Sequence, residues 1–288
     1  LKIRLVDAVL DLEPDFSASL QPDYDMIISS IKNPRLKSIL DLEKPRNRRS
    51  SGLFLIEGVK EIGHAAAAGY EFKAIVFSKD LIPQDVELAF FNQVDEKIEV
   101  TQDVFSKLAI RENSGGMLVV AKMKMHQLSD IRISKNPLLL VLESVEKPGN
   151  LGAVLRTADG AGVDAVIVCD PQTDPYNQNV VRSSLGCIFT VPLALASSQE
   201  AMEWLRKNKI RVVATHLESS SPYYLEDYTT GTALILGTEA TGLTEFWWQG
   251  ADARVIIPMK GNNDSLNVSN AAAVVVYEAV RQRAMKKN

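Results

Sequence analysis

The second half of the chain alternates short, almost wholly apolar runs with helical stretches, and few architectures tolerate that alternation. The runs at 138–142 (LLLVL), 165–169 (AVIVC), 210–215 (IRVVAT), 233–236 (ALIL) and 254–257 (RVII) lack the in–out pattern of a half-exposed strand. Strands apolar on both sides need cover on both faces, which is the condition of a mostly parallel sheet between helices. Segments 151–161, 180–185, 198–208 and 270–285 supply the helices. The expected fold class is α/β, with a mostly parallel sheet over residues 137–288 and a smaller α/β domain before it.

That smaller unit is expected over residues 26–121. Residues 27–42 suggest two helical pieces broken near Pro34, followed by a basic loop at 44–49, a strand at 52–58 and a helix at 59–68. A strand at 73–78, a helix at 102–109 and a strand at 116–121 complete it. Residues 122–136 lose the alternation and read as a linker, and the acid-rich residues 1–25 read as a mobile extension.

With 288 residues, 46% of them hydrophobic, the chain can bury a sizeable core. No apolar run approaches the ~20 residues that span a bilayer, and no signal peptide opens the chain. Cys169 and Cys187 have no CxxC spacing, and His64, His126 and His216 no metal-ligand spacing. A soluble cytoplasmic protein without a bound metal is expected. The net charge of −4 argues against indiscriminate coating of nucleic acid. Even so, residues 31–49 gather Lys32, Arg35, Lys37, Lys44, Arg46, Arg48 and Arg49 against Asp41 and Glu43. Such a local surface is either solvated or a phosphate-binding face built on a few contacts.

Three loops, each following a strand, carry candidate chemistry. In the first, Asn150 stands at a helix entrance, where it can cap the helix or touch a ligand. Arg156 follows on that helix among the small residues Gly152, Ala153 and Gly160. Its planar fork of donors suits phosphate, although a plain surface arginine fits the spacing equally well. The second loop, LGTEATGL at 236–243, holds Gly237, where a missing Cβ permits close approach of a ligand or another backbone, then Glu239 and the turn residue Gly242. The third, IPMKGNNDSLNVS at 257–269, delivers Ser265 and Asn267 to the start of an apolar helix. Loops at the carboxyl edge of one sheet can gather around one ligand. No G-x-G-x-x-G follows a strand, which disfavours a dinucleotide-dependent oxidoreductase.

In this order, NLGAVLRTA at 150–158, LGTEATGL at 236–243 and IPMKGNNDSLNVS at 257–269 resemble the motifs of the SpoU/TrmH branch of the SPOUT superfamily. These are S-adenosylmethionine-dependent RNA ribose 2′-O-methyltransferases. The unit at 26–121, including FLIEGVKEI, is similar to the L30e-like substrate-binding domain found ahead of many of them. The resemblance implies a C-terminal trefoil knot, which general topology rules would not suggest. It also implies a homodimer and S-adenosyl-L-methionine as cofactor. Apolar residues around most of the AAAVVVYEAV helix fit either a dimer face or a central core helix.

The resemblance places Asn150, Arg156, Ser265 and Asn267 at catalytic positions, and Gly237, Gly242, Ile257, Leu266 and Thr215 around the cofactor. Glu239 would organise the loops. Arginine is too basic to accept a proton readily, so Arg156 is expected to grip phosphate and stabilise charge on the reacting oxygen. Lys32, Arg35, Arg46, Arg48 and Arg49, flanking the start of the L30e-like unit, are the expected RNA contacts. The implied substrate is ribosomal RNA ahead of transfer RNA, with a catalytically silent RNA-binding protein as the other reading.

Overall fold

The computed structural model describes residues 27–83, 90–110, 114–217, 220–238 and 241–286. The expected extension at 1–25, and Glu239 of the second loop, lie outside the described residues.

The chain enters through α1 (Pro34–Leu40) and α2 (Pro45–Ser51). The segment expected as a basic loop is therefore a helix. Proline at its first turn pre-sets the backbone, and Gly52, at φ +68°, closes it. It carries no apolar stripe, which is why periodicity does not reveal it. Next come β1 (Leu53–Glu57), α3 (Val59–Ala67), β2 (Phe72–Phe77), β3 (Glu96–Glu99), α4 (Gln102–Leu108) and β4 (Met117–Lys122). They build a sheet of order β1-β4-β2-β3, antiparallel except for β2–β3. The sequence reading misses β3, whose four residues include three charged ones.

Residues 123–137 join the two sheets and are ordered. Leu128, Ile131 and Ile133 pack on the second unit's core. The Asp164 carboxylate accepts from the backbone N–H of Ser134 at 2.9 Å and of Leu138 at 2.8 Å.

The larger unit runs β5 (Leu138–Glu143), α5 (Pro148–Ala161), β6 (Ala165–Cys169), α6 (Gln178–Ser183), α7 (Cys187–Thr190), β7 (Leu193–Ala196), α8 (Ser198–Lys207) and β8 (Arg211–Thr215). It continues through β9 (Ser221–Pro222), β10 (Thr232–Leu236), α9 (Glu245–Gly250), β11 (Ala253–Ile256) and α10 (Val268–Lys286). The sheet order is β7-β6-β5-β10-β8-β11-β9, and its strand pairs are parallel. This is the expected α/β sheet. Short α7, β7, β9 and α9 are each too brief to show a period, so the sequence does not reveal them.

Apolar layers cover both faces. Leu151, Val154, Leu155 and Ala158 of α5 and Ala272, Val275, Val276 and Ala279 of α10 fill one side. Ala201 and Leu205 of α8 and Trp247 of α9 fill the other. Phe54, Tyr70, Tyr176 and Phe189 belong to the first of these cores, so the small unit and the large one share apolar packing. Among the described residues no helix is long and apolar enough to cross a membrane.

Candidate active site

Strands β10, β8 and β11 lie side by side and parallel, so their carboxyl ends and following loops share one edge. There they enclose a cleft of ≈ 670 Å³, closed on one side by the entrance of α10. Thr215, Gly237, Gly242, Ile257 and Leu266 all line it, together with Ser265. The expected cofactor positions that fall among the described residues are thus brought to one place.

Each loop is held by its own local chemistry. Thr238 and Gly242 exchange backbone hydrogen bonds of 3.1 and 3.0 Å, and the Thr238 and Thr241 hydroxyls lie 2.8 Å apart. A Cβ on Gly237 would fall 2.2 Å from the Gly242 carbonyl carbon, so it is another backbone that needs the missing side chain here. Gly242 itself sits at φ +68°. The Thr215 hydroxyl donates to the Ile235 carbonyl at 2.9 Å, tying β8 to β10 beneath the cleft.

Asn267 caps α10. Its Oδ1 accepts from the backbone N–H of Ser269 at 3.0 Å and from that residue's hydroxyl at 2.6 Å. Its Nδ2 donates to Asn150 Oδ1 at 3.2 Å. Two asparagines 117 positions apart are therefore joined beside Leu266 and Ser265. Asn150 is not the cap of α5, as the entrance position suggested. That helix starts at Pro148 with Lys147 as N-cap, so Asn150 lies within its first turn.

Arg156 lies six positions further along α5, about 9 Å along the axis. It is exposed and does not line the cleft of its own chain. Its charge is felt instead at Cys187 on α7: burial and Asp159 raise that thiol's pKa, while Lys60 and Arg156 oppose them. Of the small residues near it, Gly152 is required by packing. A Cβ on Gly152 would meet Ser183 Oγ at 1.9 Å, so this glycine lets α6 pack against α5.

Sequence reasoning missed two parts of the site. Glu143, at the end of β5 and only 4% exposed, accepts from the Thr244 backbone N–H at 2.8 Å and from its hydroxyl at 2.6 Å. It anchors the far end of the Gly237 loop, and a carboxylate closing an otherwise apolar strand was the available signal. His216, Leu217 and Trp248 form a further wall of the cleft, with the imidazole and indole centroids 5.3 Å apart. The Trp248 indole also lies 5.2 Å from the Arg254 guanidinium.

The basic residues of the small unit divide. Lys32, Arg46 and Arg49 are exposed. Arg35 is exposed too, but its Nε donates to Glu96 at 2.6 Å, and that pairing raises its pKa. Arg48 corrects the expectation of an RNA contact. It is 1% exposed and salt-bridged to Asp174 at 2.7 Å, so no phosphate can reach it.

Residues 137–277 match the SpoU rRNA Methylase family, and residues 33–119 match the MRM3-like substrate binding domain. The 23S rRNA (guanosine(2553)-2'-O)-methyltransferase RlmP of Bacillus subtilis is 30% identical over 251 residues, covering 87% of this chain and 97% of its own length. The 23S rRNA (uridine(2479)-2'-O)-methyltransferase of Streptomyces viridochromogenes is 31% identical over 262 residues, with 88% and 91% covered. Among solved structures, the AdoMet-bound rRNA methyltransferase of Sinorhizobium meliloti has a TM-score of 0.81 at 31% identity, covering 89% of this chain and 97% of that one. Similarity over nearly the full length of these relatives, with the family match over residues 137–277, shows that the chain belongs to the SpoU rRNA methylase family.

Proposed function

We propose that the protein transfers a methyl group from S-adenosylmethionine to a ribose 2′-hydroxyl of large-subunit, 23S-type ribosomal RNA, and does so as a cytoplasmic homodimer. The observation that carries this is the meeting of the 236–243 and 257–269 loops with the end of β8 in one cleft, and the bond from Asn267, next to the cleft residue Leu266, to Asn150 of the first loop. Full-length relatives named as 23S rRNA 2'-O-methyltransferases support the substrate class ahead of transfer RNA. The partly covered outer face of α10, where Tyr277 is 50% exposed, supports the dimer. The return of the chain from β11 through 257–267 to a helix packed on β10 and α5 suits the trefoil knot that the resemblance implies.

The residues fit the donor. A volume of ≈ 670 Å³ falls within the roughly 300–1,000 Å³ of small-molecule sites. The walls pair apolar Ile257, Met259 and Leu266 with the exposed backbone of the Gly237 loop. When bound, S-adenosylmethionine supplies an electrophilic methyl group on a sulfonium that leaves readily. The protein's task is to align the attacking oxygen, whose proton would pass to solvent as its new bond to carbon forms. Asn267 holds the Asn150 carboxamide in place, and this pair with Ser265 orients the ribose. Arg156 lies outside the cleft of its own chain, so in this reading it serves the cleft of the second protomer, where its guanidinium grips a phosphate beside the target and stabilises negative charge growing on the 2′-oxygen.

Tritiated S-adenosylmethionine and an in vitro transcript of large-subunit ribosomal RNA test the reading, with ribose methylation mapped by alkali resistance. Arg156→Ala should lower turnover about 100-fold or more and leave donor binding by calorimetry unchanged. Transfer to transfer RNA alone would reassign the substrate. Near-normal turnover by Arg156→Ala would remove that residue from the mechanism.

A further inference from the structure

The segment from Asp174 to Thr190, which carries α6 and α7, is clamped on both sides. On one side it meets the small unit. Arg48, buried on α2, donates through Nε to Asp174 Oδ2 at 2.7 Å and through Nη1 to the carbonyls of Leu42 and Glu43 at 2.9 and 2.7 Å. Asp174 Oδ1 accepts from the Tyr176 backbone N–H at 2.8 Å, which fixes the next side chain. The buried Tyr176 ring lies 4.3 Å from that of Phe54. Its hydroxyl is 3.2 Å from the Tyr70 hydroxyl, accepts from Lys124 N at 2.9 Å, and lies 3.2 Å from Lys124 O. Burial raises both phenol pKa values, so the pair stays neutral. Phe189 stands 5.0 Å from Tyr70, edge on. Where α3 crosses the turn before α7, a Cβ on Gly186 would lie 2.7 Å from His64 Nδ1.

On its other side the same segment is pressed against α5. Ser183 and Ser184 occupy the space that a Gly152 Cβ would need, at 1.9 and 2.7 Å. Gly152 is two positions from Asn150. Two close contacts in series thus connect the small sheet to the rim of the cleft. Buried polar pairs favour one arrangement over others, because any slip leaves a carboxylate, guanidinium or phenol unpaired.

We propose that this segment is a rigid spacer fixing the distance between the RNA-holding face of the small unit and the transfer cleft, with Arg48 and Tyr176 as positioning residues. The enzyme then selects a folded RNA that presents its held surface and its target ribose at that one spacing. This inference rests on the methyltransferase reading above. It adds to it a physical source for choosing one nucleotide among many with identical ribose hydroxyls.

The test is the map of methylated nucleotides on a large-subunit ribosomal RNA transcript, for the wild type, Arg48→Ala and Tyr176→Phe. Arg48→Ala removes the clamp and leaves Asp174 partly hydrated. Tyr176→Phe keeps the ring and removes only the hydroxyl, so it decides the matter should Arg48→Ala fail to fold. The expected result is a loss of kcat/KM at the wild-type nucleotide of about 10²-fold for Arg48→Ala, smaller for Tyr176→Phe. Methylation should also appear at neighbouring nucleotides, with donor affinity by calorimetry unchanged. General structural damage would lower the rate and keep the site. Methylation confined to the wild-type nucleotide in every folded variant, at whatever rate, overturns the proposal. A wild-type protein that transfers no methyl group to any RNA overturns the underlying reading instead.

Discussion

Gly237 sets the shape of the cleft more sharply than any polar residue in it. With the Gly242 carbonyl carbon 2.2 Å from where its Cβ would stand, alanine there forces the 238–242 bridge apart. Backbone cannot rotate away as a flexible side chain can, so Gly237→Ala should destabilise by about 1–3 kcal/mol and abolish donor binding. Gly149→Ala is the control. Nothing lies within 4 Å of its Cβ, and a helical alanine is mildly favourable there. Thermal unfolding with donor titration checks both, and intact binding by Gly237→Ala would show that the loop is not part of the cofactor wall. The sequence marks Gly237 as special because glycine follows a buried strand. It cannot say whether ligand or backbone requires it. Arg48 shows the same limit in reverse: a guanidinium in a run of cations reads as solvent-facing, and Asp174, 126 positions away, together with the Leu42 and Glu43 carbonyls makes its burial tolerable.

The segment joining the two sheets has more structure than its irregular sequence suggests. Leu195 N donates to the His126 carbonyl at 2.8 Å, and the His126 ring stacks 5.3 Å from Tyr176. Burial lowers the imidazole pKa from 6.5 to about 4, overcoming a backbone hydrogen bond with Leu193 and the charge of Asp130, while Lys124 assists. The unfolded chain therefore binds more protons than the folded one between those two values. Stability from this group is complete above pH ~6.5 and is lost as pH falls through ~4. His126→Phe, which keeps a stacking ring and removes the titration, should flatten the pH dependence of the unfolding midpoint in that window. Identical wild-type and variant profiles would mean the ring is hydrated. Period-based reading works for α5, α8 and the long apolar strands. It fails for α2, β3 and this segment, where tertiary partners rather than a repeating face supply the stability.

At the scale of the whole molecule, the α/β class and the gathering of the three loops follow from local features: two-sided apolar strands and glycine-bearing turns that come after them. The docking of the small unit does not, because it depends on a few side-chain pairs between distant segments. That docking also narrows which charges can face RNA on a chain of net charge −4. Arg48 is used internally and the exposed Arg35 is paired with Glu96, which leaves Lys32, Arg46 and Arg49 as the exposed members of the expected set outside those ion pairs. Removing one cation that neutralises a phosphate should reduce the slope of log K against log salt by about one. Arg46→Gln with Arg49→Gln should therefore flatten the slope by about two, with methylation still directed to the same nucleotide because the spacer is untouched. Arg48→Gln should leave the slope unchanged, since a buried guanidinium releases no counterion from RNA. Filter binding across a salt series separates the two variants. A slope that responds to Arg48 and ignores Arg46 and Arg49 would place the RNA on a different face of the small unit.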